Sequence, residues 1–306
     1  MKSLVTGGVG FIGSNLVDRL ITLGHEVVVI DNESAECNEK FYWNDESQNH
    51  KFDICDYENT RQLYEGVDYV FHLAAESRLQ PAIENPIYAI QNNCTGTAVV
   101  LQCAREAEVR RFVYSSTSSG YGNNPYPNVE TQKDDCLNPY SVSKITGEKL
   151  CKMYSDLYGL ETVSLRYFNV FGERCPSKGQ YAPVIAVFDR QKTAGEPLSI
   201  VGDGEQRRDF IYAKDVARAN FLAATMPIIK NKNGEFVDYS GEVFNVGSGI
   251  NYSVNEIAEA VSCGMCEFVY LPKREGEAET TLANVDKIKE VFGWVPEFDV
   301  IKWIKK

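Results

Sequence analysis

Thr6-Gly7-Gly8-Val9-Gly10-Phe11-Ile12-Gly13 is the stretch on which the fold turns. Before it, Lys2 to Val5 is a short run suited to a buried strand. After it, Ser14 to Leu20 reads as a helix. Strand, glycine loop and helix together open a dinucleotide-binding βαβ unit. Gly7 permits the tight turn out of the strand, Gly10 leaves the backbone bare for a pyrophosphate, and Gly13 lets the helix lie close to the sheet. The helix then presents its unpaired N–H groups and its positive dipole end to the phosphates. The spacing is G-x-x-G-x-x-G, looser than G-x-G-x-x-G, so the flanking chain has to support the reading.

It does. His25 to Ile30 is a second strand, β-branched and apolar, and it ends at Asp31-Asn32, 18 residues after Gly13. A carboxylate there accepts hydrogen bonds from the adenosine ribose and repels a 2′-phosphate, which favours NAD over NADP. Lys51 to Asp56 reads as a short strand, whose Asp53-Ile54 suits the adenine end. Asp-Asn and lone Asp residues also close ordinary turns. Tyr57 to Tyr64 reads as helical, and Asp68 to Ala75 as a strand ending in small residues that admit a ligand closely. Ile87 to Glu106 reads as a helix with Asn92-Asn93 inside it, placed to hold a neighbouring loop. Arg111 to Ser115 is the next strand. The alternation predicts an α/β fold with a doubly wound parallel sheet of the Rossmann kind.

Bulk properties narrow the function classes. The 306 residues are 43% hydrophobic and 24% charged, a globular composition that allows one or two domains. No apolar run reaches membrane-spanning length, and the chain opens directly on a strand without a secretory pattern. The nine cysteines are scattered and odd in number, which points to free thiols in the cytoplasm. Cys263-Gly-Met-Cys266 is a single C-x-x-C, read as incidental, and no metal site is expected. A net charge of −12 argues against nucleic acid as a partner. It also requires that basic groups be concentrated wherever an anionic ligand binds.

Two segments carry chemistry. Ser115-Ser116-Thr117-Ser118-Ser119-Gly120-Tyr121-Gly122 is a hydroxyl-rich loop at the carboxyl end of a strand, where open parallel sheets hold ligands. Asn138-Pro139-Tyr140-Ser141-Val142-Ser143-Lys144 then opens a helix. Tyr140 and Lys144 stand four apart, on one face. A nearby ammonium and a positive nicotinamide lower a phenol's pKa, which makes Tyr140 a candidate base, with Thr117 in its proton network. Lys144 can also donate to the nicotinamide ribose.

With these residues in view, the chain resembles the extended short-chain dehydrogenase/reductases, specifically the NAD-dependent nucleotide-sugar epimerases and dehydratases. Matching pieces are Thr6 to Gly13, Asp31-Asn32, Asp53-Ile54, His72 to Ala75, Asn93 to Thr97, Tyr140 to Lys144 and Leu165 to Gly172. They continue with Gly202 to Phe210, Phe244 to Gly249 and Arg274-Glu-Gly-Glu277, so the likeness spans Thr6 to about Ala283.

The resemblance implies a cofactor, a substrate domain and a set of site residues. NAD would rest on Gly7, Gly10, Phe11, Ile12 and Gly13, with Asp31, Asn32, Asp53 and Ile54 at its adenosine end. Leu73, Ala74, Ala75, Asn93, Ser115, Tyr140, Lys144 and Tyr167 would complete the cofactor site. Thr117, Tyr140 and Lys144 would be catalytic. A smaller C-terminal α/β domain would hold a nucleotide-sugar, with residues 1–169 and about 208–248 forming the NAD domain, and 170–207 and 249–306 the substrate domain. Ser77, Ser118, Asn169 and Val184 would touch the substrate. Arg174, Arg208 and Arg274 would supply positive charge on the diphosphate side, with Glu277 beside them.

Departures from the family pattern choose among its reactions. Ser118 and Ser119 follow Thr117 where relatives that eliminate water or decarboxylate carry acids, which leaves hydride removal and return, that is, epimerisation. Gln180 to Ala186 resembles the UDP-contacting stretch of UDP-sugar 4-epimerases. Thr281 matches the position beside C2 of the sugar, where a small residue admits an N-acetyl group; a slip of one would substitute Thr280, also small. The expected activity is 4-epimerisation of UDP-glucose/UDP-galactose or their N-acetylated counterparts. A uronic-acid epimerase, a 4-ketoreductase and a non-catalytic NAD-binding regulator are the alternatives. Relatives pair through helices matching 87–106 and 139–158, so a homodimer is expected, with Ile87, Ile90, Cys94, Ala98 and Leu101 as a candidate stripe.

Overall fold

A computed structural model describes residues 1–178, 182–227, 229–230, 236–274 and 276–306. The first strands in chain order are β1 (Lys2–Thr6), β2 (Glu26–Ile30), β3 (Gln48–His50), β4 (Tyr69–His72), β5 (Arg111–Thr117) and β6 (Glu161–Tyr167). They continue as β7 (Asn169–Phe171), β8 (Leu198–Val201), β9 (Arg207–Tyr212), β10 (Ile229–Lys230), β11 (Phe236–Val237), β12 (Glu242–Val246), β13 (Asn251–Ser253) and β14 (Phe268–Leu271). The α-helices are α1 (Phe11–Thr22), α2 (Tyr57–Thr60), α3 (Leu79–Glu84), α4 (Pro86–Ile90), α5 (Gly96–Glu106) and α6 (Pro139–Tyr158). After them come α7 (Val184–Ala194), α8 (Ala213–Thr225), α9 (Val254–Ser262), α10 (Asp286–Phe292) and α11 (Val300–Ile304).

Seven strands form one sheet in the order β12-β6-β5-β4-β1-β2-β3, and every pairing in it is parallel. Apolar residues on both faces of the inner strands explain why; β3, with Gln48, Asn49 and His50, is the polar edge. Val5, Val27 and Val29 pack on one side with Leu16 of α1 and Ala219 of α8, while Leu4 and Val28 pack on the other with Leu101 of α5. Strand order reverses between β1 and β4, so a crevice opens beyond their carboxyl ends.

A second unit has its own core of Phe171, Phe188, Leu198, Ile200 and Ile257. It is built on the sheet β13-β9-β7 and the pair β14-β8. Two elements depart from the division expected from the sequence. β9 pairs with β7 and β13, away from the large sheet, and α10 packs Ile288 and Phe292 into the first core. α8 and β12 do return to the large sheet's layers.

Other differences are local. Lys51 to Asp56 is not a strand: β3 ends at His50, where its partner β2 ends at Ile30, and Asp56 caps α2 instead. α2 tightens into a 3₁₀ turn over Arg61–Tyr64. The stretch 87–106 is interrupted by a π turn at Gln91–Thr95. The wider turn shifts the helical phase, so Ile87 is 79% exposed while Leu101 is buried against the sheet. α9 carries a capping box of Ser253 and Glu256. α10 coincides with Asp286 to Phe292, the last helix that the sequence pattern indicates, and α11, where Asp299 accepts from Lys302 N, lies beyond it. Of the stretch 230–234, whose polar residues suggest a surface loop, Lys230 lies in β10 and residues 231–234 fall outside the described residues. Among the described residues no helix is long and apolar enough to cross a membrane.

Candidate active site

The crevice at the strand reversal is a cavity of about 780 Å³ that runs from the glycine loop to the second unit. At its floor Gly7 has φ +69°, and a Cβ there would meet Ala74 N at 2.6 Å. A Cβ on Gly13 would meet Gly7 O at 2.1 Å. Both glycines are therefore required by packing. Gly10 differs: a Cβ there would meet Gly7 O at 3.5 Å and Asn38 Nδ2 at 3.8 Å, leaving space for a ligand that approaches the backbone. Gly10 also caps α1 with no side-chain bond to the helix's first N–H groups. The cradle thus fits a dinucleotide pyrophosphate.

Asp31 stands at the end of β2 in the cavity wall. Its carboxylate accepts from Val9 N and Glu33 N, and burial pushes its pKa up against those bonds. Asn32 and Ile54 line the wall, but Asp53 does not: its carboxylate accepts from Asn32 Nδ2 at 2.9 Å and from Cys55 N. Phe11, Ile12, Leu73, Ala74 and Ala75 line the wall as expected. Asn93 acts from behind it. The π turn presents its side chain to Glu76, accepting from Glu76 N at 2.7 Å and donating to Glu76 O and Ser143 Oγ. This holds the loop after β4 by its backbone, the role that a mid-helix asparagine suggested.

The hydroxyl loop, Tyr140 and Lys144 meet in the same cavity. β5 runs on to Thr117, two residues beyond the expected strand end, and Thr117 then caps a 3₁₀ turn over Ser118–Tyr121. Asn138 caps α6 in a reciprocal pair with Ser141, which fixes the helix carrying Tyr140 and Lys144. Ser115 bonds Tyr167, and Tyr167 bonds Asn220, bracing the wall from below.

Electrostatics differ from the sequence expectation at one point. Burial pushes the Tyr140 phenol up, while the Thr117 hydroxyl and the charge of Arg78 draw it down and Glu76 adds to the rise; the net direction is up. Lys144 is 3% exposed, sits 4.4 Å over the Tyr114 ring, and is drawn down to about 8 by burial. In the protein alone desolvation outweighs the groups that draw the phenol down, and Lys144 is not one of them.

On the substrate side, Ser77, Ser118, Asn169, Val184, Arg208 and Thr281 line the cavity, as do Arg274 and Glu277. Arg208 donates to Glu277 Oε2 at 3.2 Å, and Arg274 lies 3.9 Å from Glu277 Oε1. Thr281 Oγ1 accepts from Asp209 N at 3.2 Å and Asn169 Nδ2 at 3.3 Å, so its small side chain is tethered to the wall. Of the UDP-like stretch, Gln180 and Tyr181 lie outside the described residues, and Ala182 to Ile185 are in the wall. Arg174 stands apart from the substrate side where the resemblance would put it. The chain turns at it with φ +69°, and its guanidinium pairs with Asp18 of α1 at 2.6 Å, outside this cavity.

Sequence reasoning missed Arg78, Lys178 and Arg190, which also line the cavity. The signal for Arg78 was available: a cation three residues past the small pair Ala74-Ala75, at the carboxyl end of a strand. Together with Arg208 and Arg274 these residues form the local basic surface that a chain of net charge −12 needs for an anionic ligand.

A family model, described as the NAD dependent epimerase/dehydratase family, matches residues 3–247. A putative UDP-glucose 4-epimerase from Methanocaldococcus jannaschii is 35% identical over 309 residues, covering 99% of this chain and 96% of that protein. The crystal structure of UDP-glucose 4-epimerase from Thermotoga maritima, with UDP-glucose, superposes with a TM-score of 0.91 at 33% identity, covering 100% of this chain and 96% of the other. UDP-N-acetylglucosamine 4-epimerase from Methanobrevibacter ruminantium, in complex with UDP-N-acetylmuramic acid, does so with a TM-score of 0.89 at 33% identity, covering 99% and 96%.

Proposed function

The chain belongs to the NAD dependent epimerase/dehydratase family, and within it we propose that it interconverts the C4 epimers of a UDP-sugar, N-acetylated hexoses included. It is an isomerase whose cofactor is NAD. The observation that carries the proposal is that Thr117, Tyr140 and Lys144 share one cavity with the glycine cradle and with the Arg208–Glu277 cluster.

NAD supplies reversible hydride acceptance at the sugar carbon. The chain's own residues do the rest. Tyr140 takes the C4 hydroxyl proton, directly or through Thr117, and later returns it. The protein alone leaves this phenol above its ordinary range, so the positive nicotinamide ring has a share of the lowering to supply. Lys144 would donate to the nicotinamide ribose. Arg208 and Arg274 would hold the diphosphate while the 4-keto sugar turns about it to present its other face. Ser118 and Ser119 offer no carboxylate for eliminating water. Thr281 leaves room beside C2 for an N-acetyl group. A homodimer and a cytoplasmic setting belong to the same reading. The nine cysteines are all free, and apolar side chains stand exposed on α4 and α6.

The test is nuclear magnetic resonance of UDP-N-acetylglucosamine with the purified protein and no added cofactor. Approach to one equilibrium with UDP-N-acetylgalactosamine from either side is expected. In a parallel sample with added NAD, oxidation of UDP-N-acetylglucosamine that consumes NAD stoichiometrically and forms no epimer would make the protein a keto-sugar oxidoreductase and overturn the proposal.

A further inference from the structure

Arg78 is half-buried in the wall of the main cavity, directly after the loop that Asn93 fastens through Glu76. Its backbone N–H donates to Glu76 Oε1 at 3.2 Å, which fixes where the side chain starts. Its Nε is buried and has no hydrogen-bond partner. Among the described residues it is the one atom of the cavity-lining side chains in that condition. Among the other cations in the wall, Arg208 and Arg274 face Glu277, Arg190 faces Glu196, Lys178 faces Glu39, and Lys144 sits over the Tyr114 ring. A buried guanidinium N–H left unpaired is costly, so the position points to an acceptor that arrives with the ligand.

Where that acceptor lies follows from the neighbours. Arg78 stands at the N-cap of α3, which packs on α6, the helix of Tyr140, and Asn93 ties the Glu76 loop to Ser143 of α6, whereas Arg208 and Arg274 gather around Glu277. Arg78 is therefore on the side of the reacting carbon, and the diphosphate already has its cations. Under the 4-epimerase reading Tyr140 faces the C4 hydroxyl, and the ring carbons flanking C4 are C3 and C5. A carboxylate on either one, as C6 of a hexuronate or as an acid ether on O3, comes within reach of the arginine arm. Guanidinium and carboxylate match as a two-bond fork. A neutral hydroxymethyl or hydroxyl group leaves the charge uncompensated.

We propose that Arg78 reads a carboxylate carried beside C4, and that the preferred substrate is an acidic UDP-sugar. This rests on the 4-epimerase reading, and the experiment separates the two. Specificity constants are measured for UDP-N-acetylglucosamine, UDP-N-acetylglucosaminuronic acid and UDP-N-acetylmuramic acid, on the wild type, Arg78→Met and Arg78→Lys. Bound NAD and circular dichroism are recorded for each variant. The wild type is expected to favour at least one acidic sugar over the neutral one, and the acid that responds identifies C5 or C3 as the carrier. In Arg78→Met the acid-to-neutral ratio is expected to fall at least about thirtyfold, the loss typical of a truncated buried charge pair. Arg78→Lys should restore part of the ratio. A ratio unchanged by Arg78→Met, a wild-type preference for the neutral sugar, or loss of bound NAD in Arg78→Met would overturn the assignment to the sugar. Absence of epimerisation with all three sugars would instead overturn the 4-epimerase reading.

Discussion

Thr281 and Lys144 show how single side chains set what the cavity accepts and what it costs. Thr281 is held to the wall by Asp209 N and Asn169 Nδ2, so space beside it stays open. Thr281→Tyr should fill that space and cut turnover of UDP-N-acetylglucosamine at least about a hundredfold while sparing UDP-glucose, because a clash excludes more strongly than an empty space. Parallel kcat/KM measurements check this, and an equal change for both sugars would remove Thr281 as the gate. Lys144 is a functional cation bought with stability. Its folded pKa, about 8, lies below the ordinary 10.5, so the folded state is penalised for holding the ammonium wherever pH is under about 8. Lys144→Met should therefore stabilise the cofactor-stripped protein at pH 7 by about 1–3 kcal/mol. The advantage should shrink as pH rises from about 8 past 10.5, where both states of the wild type are neutral. Urea midpoints across that range test it; a gap that widens with pH would contradict it. Residue types at motif spacing were enough to bring Tyr140, Lys144 and Thr117 together. The direction of the Tyr140 shift was not legible, because burial depends on what packs around the phenol and not on its spacing to Lys144.

At the scale of elements, the site is assembled by polar staples between strands far apart in sequence. Asp209 in β9 is the clearest. One carboxylate oxygen accepts from Ser248 N and Ser248 Oγ, and the other from Gly249 N and Ala283 N, all within 3.0 Å. It thereby ties β9 to the turn before β13 and to the segment carrying Thr281. Asp209→Asn keeps the volume but turns one acceptor into a donor facing N–H groups. A loss of about 1–3 kcal/mol in unfolding free energy is expected, with the denaturant slope unchanged. A midpoint equal to wild type would show that the staple carries no stability. Strong periodicity made most elements readable: α6 and α10 match the sequence expectation at both ends, and the parallel sheet follows from alternating strands and helices. The π turn at Gln91–Thr95 was hidden because its cause is tertiary: Asn93 reaches Glu76 and Ser143, which are distant in the chain. The position of Arg174 was hidden for a similar reason, since Asp18 lies 156 residues before it.

Viewed whole, the molecule exposes a cluster of apolar side chains on one side of its helical layer, with Lys149 and Asp156 among them. Ile87 is 79% exposed and Ile90 38% on α4, and Leu157 is 65% exposed on α6, with Val142 and Met153 along the same helix at 44% and 37%. α4 packs beside α6, so these side chains share a side of the protein. Positions 142, 153 and 157 repeat at helical spacing, as a single stripe does. Apolar surface arranged this way is a marker of association. A second copy related by a two-fold axis would set α4 and α6 against their equivalents as a four-helix layer, the self-complementary geometry of most homodimers. The stripe differs from the one the sequence suggested, since the π turn carries Leu101 inward and leaves α6 as the longer contributor. Light scattering at micromolar concentration should give twice the chain mass of 34.3 kDa. Leu157→Lys would bury an unpaired ammonium in the contact, at a cost of several kcal/mol, and should shift the mass toward the monomer with NAD still bound. A monomeric wild type, or a Leu157→Lys dimer of unchanged mass, would place the association elsewhere or remove it.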